Sequence, residues 1–106
     1  STSARAMAAI VAPEATLERL RSLVGDSLGK HMYANAVFFA DKLVSISGGH
    51  PDDVYRLAQA YFYTKQFRRA VHVLRAYSIS QSSVRCCYLS AKCLLESREY
   101  DEALAL

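Results

Sequence analysis

Apolar residues recur with helical spacing along most of the chain. Between residues 51 and 83 they fall at positions i, i+3, i+4 and i+7, which together form one face of an α-helix. Val54, Leu57, Ala58 and Tyr61 form such a set. A second set follows at positions i, i+3, i+7 and i+10, which also share one helix face, and it consists of Phe67, Ala70, Leu74 and Tyr77. Gly48, Gly49 and Pro51 stand where one helix would end and the next would begin. The pattern predicts an all-α protein built from short helices that are joined by tight turns.

An aromatic residue followed by alanine three positions later occurs three times at nearly constant spacing. The pairs are Tyr33 and Ala36, Phe67 and Ala70, and Tyr100 and Ala103, so the intervals are 34 and 33 residues. A repeat of about 34 residues made of two helices is the signature of the tetratricopeptide motif. The expected fold is therefore an α-solenoid of antiparallel helical hairpins that winds as a right-handed superhelix. Alanine at these positions indicates close helix crossings, because a larger side chain would push the backbones apart.

The repeated positions divide the chain into a tail and one tetratricopeptide domain. Residues 1–13 are expected to be a tail, flexible or in part vector-derived, and residues 14–106 form the domain. The repeats run from about 17 to 50, from 51 to 83 and from 84 to 106. The last repeat stops inside its second helix, which predicts a fragment of a longer solenoid. In this third repeat the same register predicts that Cys87, Ala91 and Leu94 belong to the core.

Composition and charge narrow the function classes. Of 106 residues, 52% are hydrophobic, and 13 basic and 10 acidic residues give a net charge of +3. The basic residues are scattered rather than clustered, which argues against nucleic acid as the main partner. No apolar run reaches the roughly 18 residues of a membrane span, which argues against a membrane partner. The three cysteines are expected to be free thiols in a reducing compartment, namely the nucleus and cytoplasm.

The sequence contains no arrangement typical of a catalytic or metal site. The histidines are separated on different predicted helices or linkers, and they are His31, His50 and His72. No histidine accompanies the cysteines, so neither a zinc site nor a cysteine nucleophile is predicted. Cys86 and Cys93 share one helix face and are expected to pack against the preceding hairpin, while Asp52 and Asp53 are acids that favour a helix start. We therefore predict a chain that is not an enzyme and holds no cofactor or metal.

Several stretches between the repeated positions carry a closer resemblance. They are AVFFADKLVS at 36–45, DVYRLAQAYF at 53–62, QFRRAVHVLR at 66–75, and CCYLSAKC at 86–93 followed by EYDEAL at 99–104. These stretches resemble the N-terminal repeats of a tetratricopeptide scaffold subunit of the anaphase-promoting complex, or cyclosome, the subunit commonly numbered six. The resemblance covers about residues 17–106.

The resemblance implies a non-catalytic scaffold in a multisubunit ubiquitin ligase that drives cells out of mitosis. It also implies a homodimer, in which the N-terminal helices of each copy lie in the groove of the other. Other subunits of the anaphase-promoting complex are implied as further partners.

The first helix of each tetratricopeptide hairpin lines the groove, and the positions outside its core stripe face that groove. These positions carry the candidate partner-binding residues, which are Arg21 and Leu28 in repeat one, Tyr55, Gln59 and Phe62 in repeat two, and Arg85, Tyr88 and Lys92 in repeat three. Tyr55, Phe62 and Tyr88 would form an aromatic ladder, and aromatic rings supply much of the energy in helix-in-groove binding. The alternative, that these rings only pack against the neighbouring hairpin, stays open.

A second function class is a stand-alone adaptor that binds the carboxylate of a peptide tail, of the chaperone or transport type. Such a clamp needs asparagines beside basic residues on the first and third helices, and a further basic pair on the fifth. The corresponding positions here hold Arg21 with Gly25, Arg56 with Gln59, and Arg85 with Leu89. The asparagines that would fix the geometry of a carboxylate are missing. The mass in solution separates the two classes, because a dimer favours the scaffold and a monomer favours the adaptor.

Overall fold

The computed structural model describes residues 14–105 as five α-helices joined by turns. They are α1 (Glu14–Gly29), α2 (Tyr33–Ser47), α3 (Pro51–Tyr63), α4 (Phe67–Ala76) and α5 (Val84–Ala105). The predicted tail at residues 1–13 lies outside the described residues, as does residue 106. Within residues 14–105 there is no strand. The prediction of an all-α fold is confirmed.

Successive helices stack in the order of the chain. Each helix packs against the next, and the alternate helices also touch, α1 with α3 and α3 with α5. Two complete antiparallel hairpins result, α1 with α2 and α3 with α4, and α5 packs on the second of them. This is the arrangement of an α-solenoid, as the repeat spacing predicts.

The turns inside the two hairpins share one geometry. His31 and Lys65 lie at equivalent repeat positions and adopt left-handed backbone conformations, with φ of 58° and 61°. The residues that follow, Met32 and Gln66, each donate a backbone N–H to the carbonyl five residues earlier, at 2.8 Å. Bonds of this kind satisfy the last carbonyls of a helix and reverse the chain. The two hairpins therefore close in the same way at the same position of the repeat.

Several alanines are completely buried between packed helices. Ala36, Ala40, Ala58 and Ala70 are completely buried, as the small-residue pattern predicts. Larger apolar side chains fill the space around them, and those with no exposed surface include Val24, Leu43, Val54 and Leu74. Except for Ala36, these residues belong to one continuous core cluster, which buried residues of α5 extend through the fifth helix.

The third repeat differs from the expected hairpin. Instead of turning, α5 continues as one helix of 22 residues through the position where the repeat spacing predicts a break. That position is Arg98, which is equivalent to His31 and Lys65 but stays helical. Neither glycine nor proline interrupts residues 84–105, and Arg98 supports the helix by donating to Glu102 one turn later at 3.1 Å. The local preference of these residues for helix therefore outweighs the repeat pattern here, and the chain does not turn.

The register of α5 is also shifted from the prediction. Its buried residues are Cys86, Leu89 and Cys93, whereas the predicted core residues Cys87, Ala91 and Leu94 are exposed. In α3 the corresponding face packs on the second helix of the same hairpin, and in α5 that helix is not folded back. Only the face toward α3 and α4 is covered. The expectation that Cys86 and Cys93 pack against the preceding hairpin is confirmed.

Candidate protein-binding groove

The first helices of the hairpins, α1, α3 and α5, form a common surface that we call the first-helix face. All eight candidate partner-binding residues lie on these three helices. Their side chains fall into three groups: residues already bonded across helices, residues half-buried against the core, and residues open to solvent.

Arg85 connects α5 to the start of α3. Its guanidinium lies 4.2 Å from the ring centre of Tyr55 and donates a hydrogen bond of 2.7 Å to Asp52. Both charged side chains remain about half exposed. A cation over an exposed aromatic ring contributes about 0.5–1 kcal/mol, and an exposed ion pair about as much. Arg85 therefore contributes little to the free energy of folding, and its main effect is to hold the ring of Tyr55 in place.

Lys92 makes a second contact of the same kind further along α5. Its ammonium lies 4.7 Å from the ring centre of Phe62 on α3 and 5.8 Å from that of Tyr88 on its own helix. Phe62 also meets the edge of Phe67, with ring centres 5.6 Å apart. Phe62 is therefore half-buried between helices, whereas Tyr88 is 66% exposed.

The predicted aromatic ladder thus has two kinds of member. Tyr55 and Phe62 on α3 pack beneath cations of α5, as the packing alternative proposes. Tyr88 has a free ring face, as the partner-binding alternative requires. A stripe of exposed apolar side chains runs along α5 beside it, with Val84 at 86% exposed and Leu95 at 57%. The stripe of Val84, Tyr88 and Leu95 follows helical spacing, so these three residues point the same way.

Arg21 is already engaged within the chain. Its Nε and Nη2 donate to the two carboxylate oxygens of Asp53, each at 3.0 Å, and its Nη1 lies 3.6 Å from Glu14. The hydrogen bonds to Asp53 raise the pKa of the guanidinium above its ordinary value, despite an opposing effect of burial. Asp53 is 1% exposed, so this pair joins α1 to α3 from inside the fold. The sequence analysis places Asp53 only at a helix start and does not predict its pairing with Arg21. The signal for that pairing is the opposite charge of Arg21, which lies nearly one repeat earlier.

The remaining candidates, Leu28 and Gln59, are half-buried. Leu28 packs against the core cluster, which leaves it a limited contact surface.

The peptide-tail clamp fits poorly with these contacts. Arg21, Arg56 and His50 line a surface pocket of about 350 Å³, but Asp52 and Asp53 line it as well. Two carboxylates beside the cations would repel an incoming carboxylate. Arg85, the third cation of the clamp, is bonded to Asp52.

The described residues can also be searched for a metal site, a reactive cysteine and a membrane-spanning helix. Among residues 14–105 no group of three or more metal-ligating side chains comes together. Burial raises the pKa of the Cys93 thiol to about 11, so this side chain is a neutral thiol at neutral pH. Within the same residues no helix combines the length and the apolarity that crossing a bilayer requires.

Stacked antiparallel hairpins with alanines at the crossings define a helical-repeat scaffold of the tetratricopeptide class. The chain belongs to the family described as "Anaphase-promoting complex, cyclosome, subunit 3", whose sequence model matches residues 29–106. A plant relative carries the number six in its name, as the resemblance in the sequence predicts. Over 93 residues the chain is 42% identical to anaphase-promoting complex subunit 6 of Arabidopsis thaliana, covering 88% of this chain and 17% of that protein.

A human relative and a solved structure agree with this assignment. The chain is 41% identical over 88 residues to the cell division cycle protein 16 homolog of Homo sapiens, covering 83% of this chain and 14% of that protein. It also resembles a chain in the crystal structure of the APC/C hetero-tetramer Cut9-Hcn1, with a TM-score of 0.71 and 30% identity, covering 93% of this chain and 18% of that one. The chain therefore spans less than a fifth of the length of these proteins.

Proposed function

We propose that this chain is a non-catalytic scaffold module of the anaphase-promoting complex, a multisubunit cell-cycle ubiquitin ligase. Its first-helix face binds protein helices, and the first of these belong to a second copy of the chain, so that the module homodimerises. Other subunits of the complex bind elsewhere on the longer protein. The chain would act in the nucleus and cytoplasm, where its free thiols stay reduced.

The observation that carries this proposal is the exposed stripe of Val84, Tyr88 and Leu95 on α5. Three large apolar side chains at helical spacing form a ridge that a partner helix can cover, and aromatic anchors supply much of the energy in such contacts. Arg85 and Lys92 stand beside the ridge and hold their charges over aromatic rings. A dimer made of the same patch on both copies satisfies the symmetry of most homo-oligomers.

Sedimentation velocity across a concentration series tests the proposal. The variant Tyr88→Ala combined with Leu95→Ala truncates two of the three ridge residues without touching the core. The matched control is Phe38→Ala, since Phe38 is equally exposed, at 57%, but lies on the second helix α2. We expect the unmodified chain and the control to dimerise at micromolar concentration. The double variant should dissociate at least tenfold more readily, because truncating interface anchors commonly costs about 1–2 kcal/mol each.

A strictly monomeric unmodified chain would contradict dimerisation and favour the peptide-tail adaptor. A dimer that survives in the double variant would move the interface away from the first-helix face. Substituting Tyr55 or Phe62 is less informative, because both rings also pack against α5 and their loss would weaken the fold itself.

A further inference from the structure

A groove separates α2 from α4, the second helices of the two complete hairpins. Within residues 14–105 each of these helices packs against α3, but the two do not pack against each other. α3 therefore forms the bottom of the gap, and α2 and α4 form its walls. The gap encloses about 280 Å³, and we call it the α2–α4 groove.

The α2–α4 groove is made entirely by the first two hairpins. All three helices contribute to its floor, which consists of Val44, Leu57, Tyr61 and Val73. Tyr77 closes one end, where its ring lies so near to Gly49 that a β-carbon on this glycine would overlap it. Both hairpins already contain their two helices, so neither lacks a helix that would cover the groove.

The two walls of the groove carry opposite charges. Asp41 lies on the α2 wall with Ser45 one turn after it, while Arg69 and His72 lie on the α4 wall. Asp41 and Arg69 are exposed, and within residues 14–105 neither belongs to an ion pair. Arg69 donates one hydrogen bond of 3.0 Å to Gln66, which leaves its remaining N–H groups for a partner.

Tyr61 shows that both charges act inside the groove. Burial raises the pKa of its phenol, the Asp41 carboxylate raises this pKa further, and Arg69 acts in the opposite direction. A neutral phenol both donates and accepts hydrogen bonds, so it suits either kind of charged neighbour. An occupant of the groove thus meets a negative wall, a positive wall and a neutral polar group between them.

A partner segment of a single charge would fit only one wall. An acidic segment would meet Arg69 but would also face Asp41, and a basic segment would meet the reverse arrangement. A segment with one acid and one base satisfies both walls at once. On a helix, side chains four residues apart are neighbours, with β-carbons about 5–6 Å apart. A helix that crosses the groove therefore presents such a pair to opposite walls.

We propose that the α2–α4 groove is a docking site for a helix of a partner protein, which inserts one acidic and one basic side chain spaced by one turn. The base pairs with Asp41 and the acid with Arg69, while the aliphatic parts of both side chains cover the apolar floor. None of the groove residues is among the eight candidates on the first-helix face. The assignment therefore does not depend on homodimerisation.

Three synthetic helical peptides test the charge requirement. The probe consists of three copies of EAAAK, in which each glutamate lies four residues before a lysine, and its controls are three copies of EAAAE and of KAAAK. Each is titrated into the isotope-labelled chain, and the amide NMR shifts of Ser45, Tyr61 and Val73 report on the groove. Circular dichroism measures how much helix each peptide contains. We expect the mixed-charge peptide to shift these signals at the lowest concentration.

Charge variants of the walls test the pairing. We expect Asp41→Asn and Arg69→Gln each to weaken binding of the mixed-charge peptide about two- to fivefold, as the loss of an exposed ion pair does. The matched controls are Asp26→Asn and Arg68→Gln, because both residues are exposed and lie outside the groove, and they should change the affinity little. Asp41→Arg combined with Arg69→Asp exchanges the wall charges and should restore binding, since the peptide then lies in the opposite direction.

The same titrations contain the results that would overturn the proposal. Tighter binding by Asp41→Asn would mean that the groove takes an acidic segment, and tighter binding by Arg69→Gln would mean a basic one. Equal binding of the three peptides, or an equal loss in the control variants, would reduce the effect to non-specific attraction. No shift of the groove signals at millimolar peptide would reject a helix of this chemistry. Groove signals that move when the chain alone is concentrated would show that a second copy is the occupant.

Discussion

Arg21 on α1 holds both carboxylate oxygens of Asp53 on α3, through two parallel hydrogen bonds of 3.0 Å. The carboxylate is almost completely shielded by the fold, while the guanidinium side chain keeps one third of its surface exposed. Such a bidentate pair fixes the relative orientation of two helices as well as their distance. Within residues 14–105 it is the main polar link between the first hairpin and the second.

Removing Arg21 should cost more than removing the pair. Arg21→Ala leaves Asp53 buried without its partner, and we expect a loss of about 2–3 kcal/mol, below the range for completely buried pairs because Arg21 is partly solvated. Arg21→Met combined with Asp53→Leu removes both charges and should recover most of that loss. Urea denaturation monitored by circular dichroism measures both. If Arg21→Ala lowered the free energy of unfolding by under about 0.5 kcal/mol, the pair would carry no structural role.

Stability should fall at alkaline pH because of Cys93. Burial raises the pKa of this thiol from 9.0 to about 11 in the folded chain. Between these two values the unfolded chain loses the proton that the folded chain keeps, so the contribution to stability is complete below pH 9 and is lost as the pH rises toward 11. The slope reaches at most about 1.4 kcal/mol for each pH unit.

The matched control for this effect is Cys93→Ala, which lacks the titrating group. Its free energy of unfolding should be lower at neutral pH but should decline less between pH 9 and 11 than that of the unmodified chain. Tyr61 contributes in the same direction in both proteins, since burial also raises the pKa of its phenol. Parallel pH profiles for the two proteins would show that Cys93 does not titrate in this window.

Enlarging Ala70 should destabilise the second hairpin. Ala70 is completely buried where α4 meets the core, so Ala70→Leu should lower the free energy of unfolding by about 1–3 kcal/mol through overpacking. For a domain of this size each kcal/mol shifts the melting temperature by about 4–8 °C. The control is Ala76→Leu at the exposed end of the same helix, which should change the melting temperature little. An equally stable Ala70→Leu variant would place the helix crossing elsewhere.

The two glycines between α2 and α3 should respond differently to alanine. Both adopt left-handed conformations, with φ of 72° at Gly48 and 85° at Gly49. A β-carbon on Gly48 meets open space, whereas one on Gly49 overlaps the ring of Tyr77. We expect Gly48→Ala to cost about 1 kcal/mol through backbone strain alone and Gly49→Ala to cost more.

Chemical denaturation of both variants measures the difference, and Tyr77→Ala added to Gly49→Ala should remove the excess. Equal costs at the two positions would mean that the Tyr77 ring moves aside freely.

The first two hairpins were predictable because their signals are local and repeated. Alanines at 36 and 70 and the constant spacing specify the crossings, and the left-handed turns at His31 and Lys65 fall between the predicted helices. The straight course of α5 was not predictable from the same pattern. Whether a helix turns at Arg98 depends on the free energy of continuing the helix compared with the free energy of packing a second helix against a distant surface. The hydrophobic periodicity of the sequence does not measure that difference.

For the candidate groove, the sequence predicted which helices carry the residues but not which side chains are free to bind a partner. Sequence register placed all eight residues on α1, α3 and α5, but it did not distinguish engaged side chains from free ones. Arg21 and Arg85 carry charges whose partners lie about one repeat away, at Asp53 and Asp52. Such pairings follow from the angle between hairpins, which a single helix pattern does not contain.

Asp52 and Asp53 are consecutive residues, and their carboxylates serve opposite neighbours. Asp53 is bonded to α1 before it and Asp52 to α5 after it. The first turn of α3 is therefore an anchor point shared by three successive units of the stack. Sliding or twisting of one hairpin relative to the next would stretch one of these two bonds, so two consecutive residues help to hold the angle at which successive units present their surface to a partner.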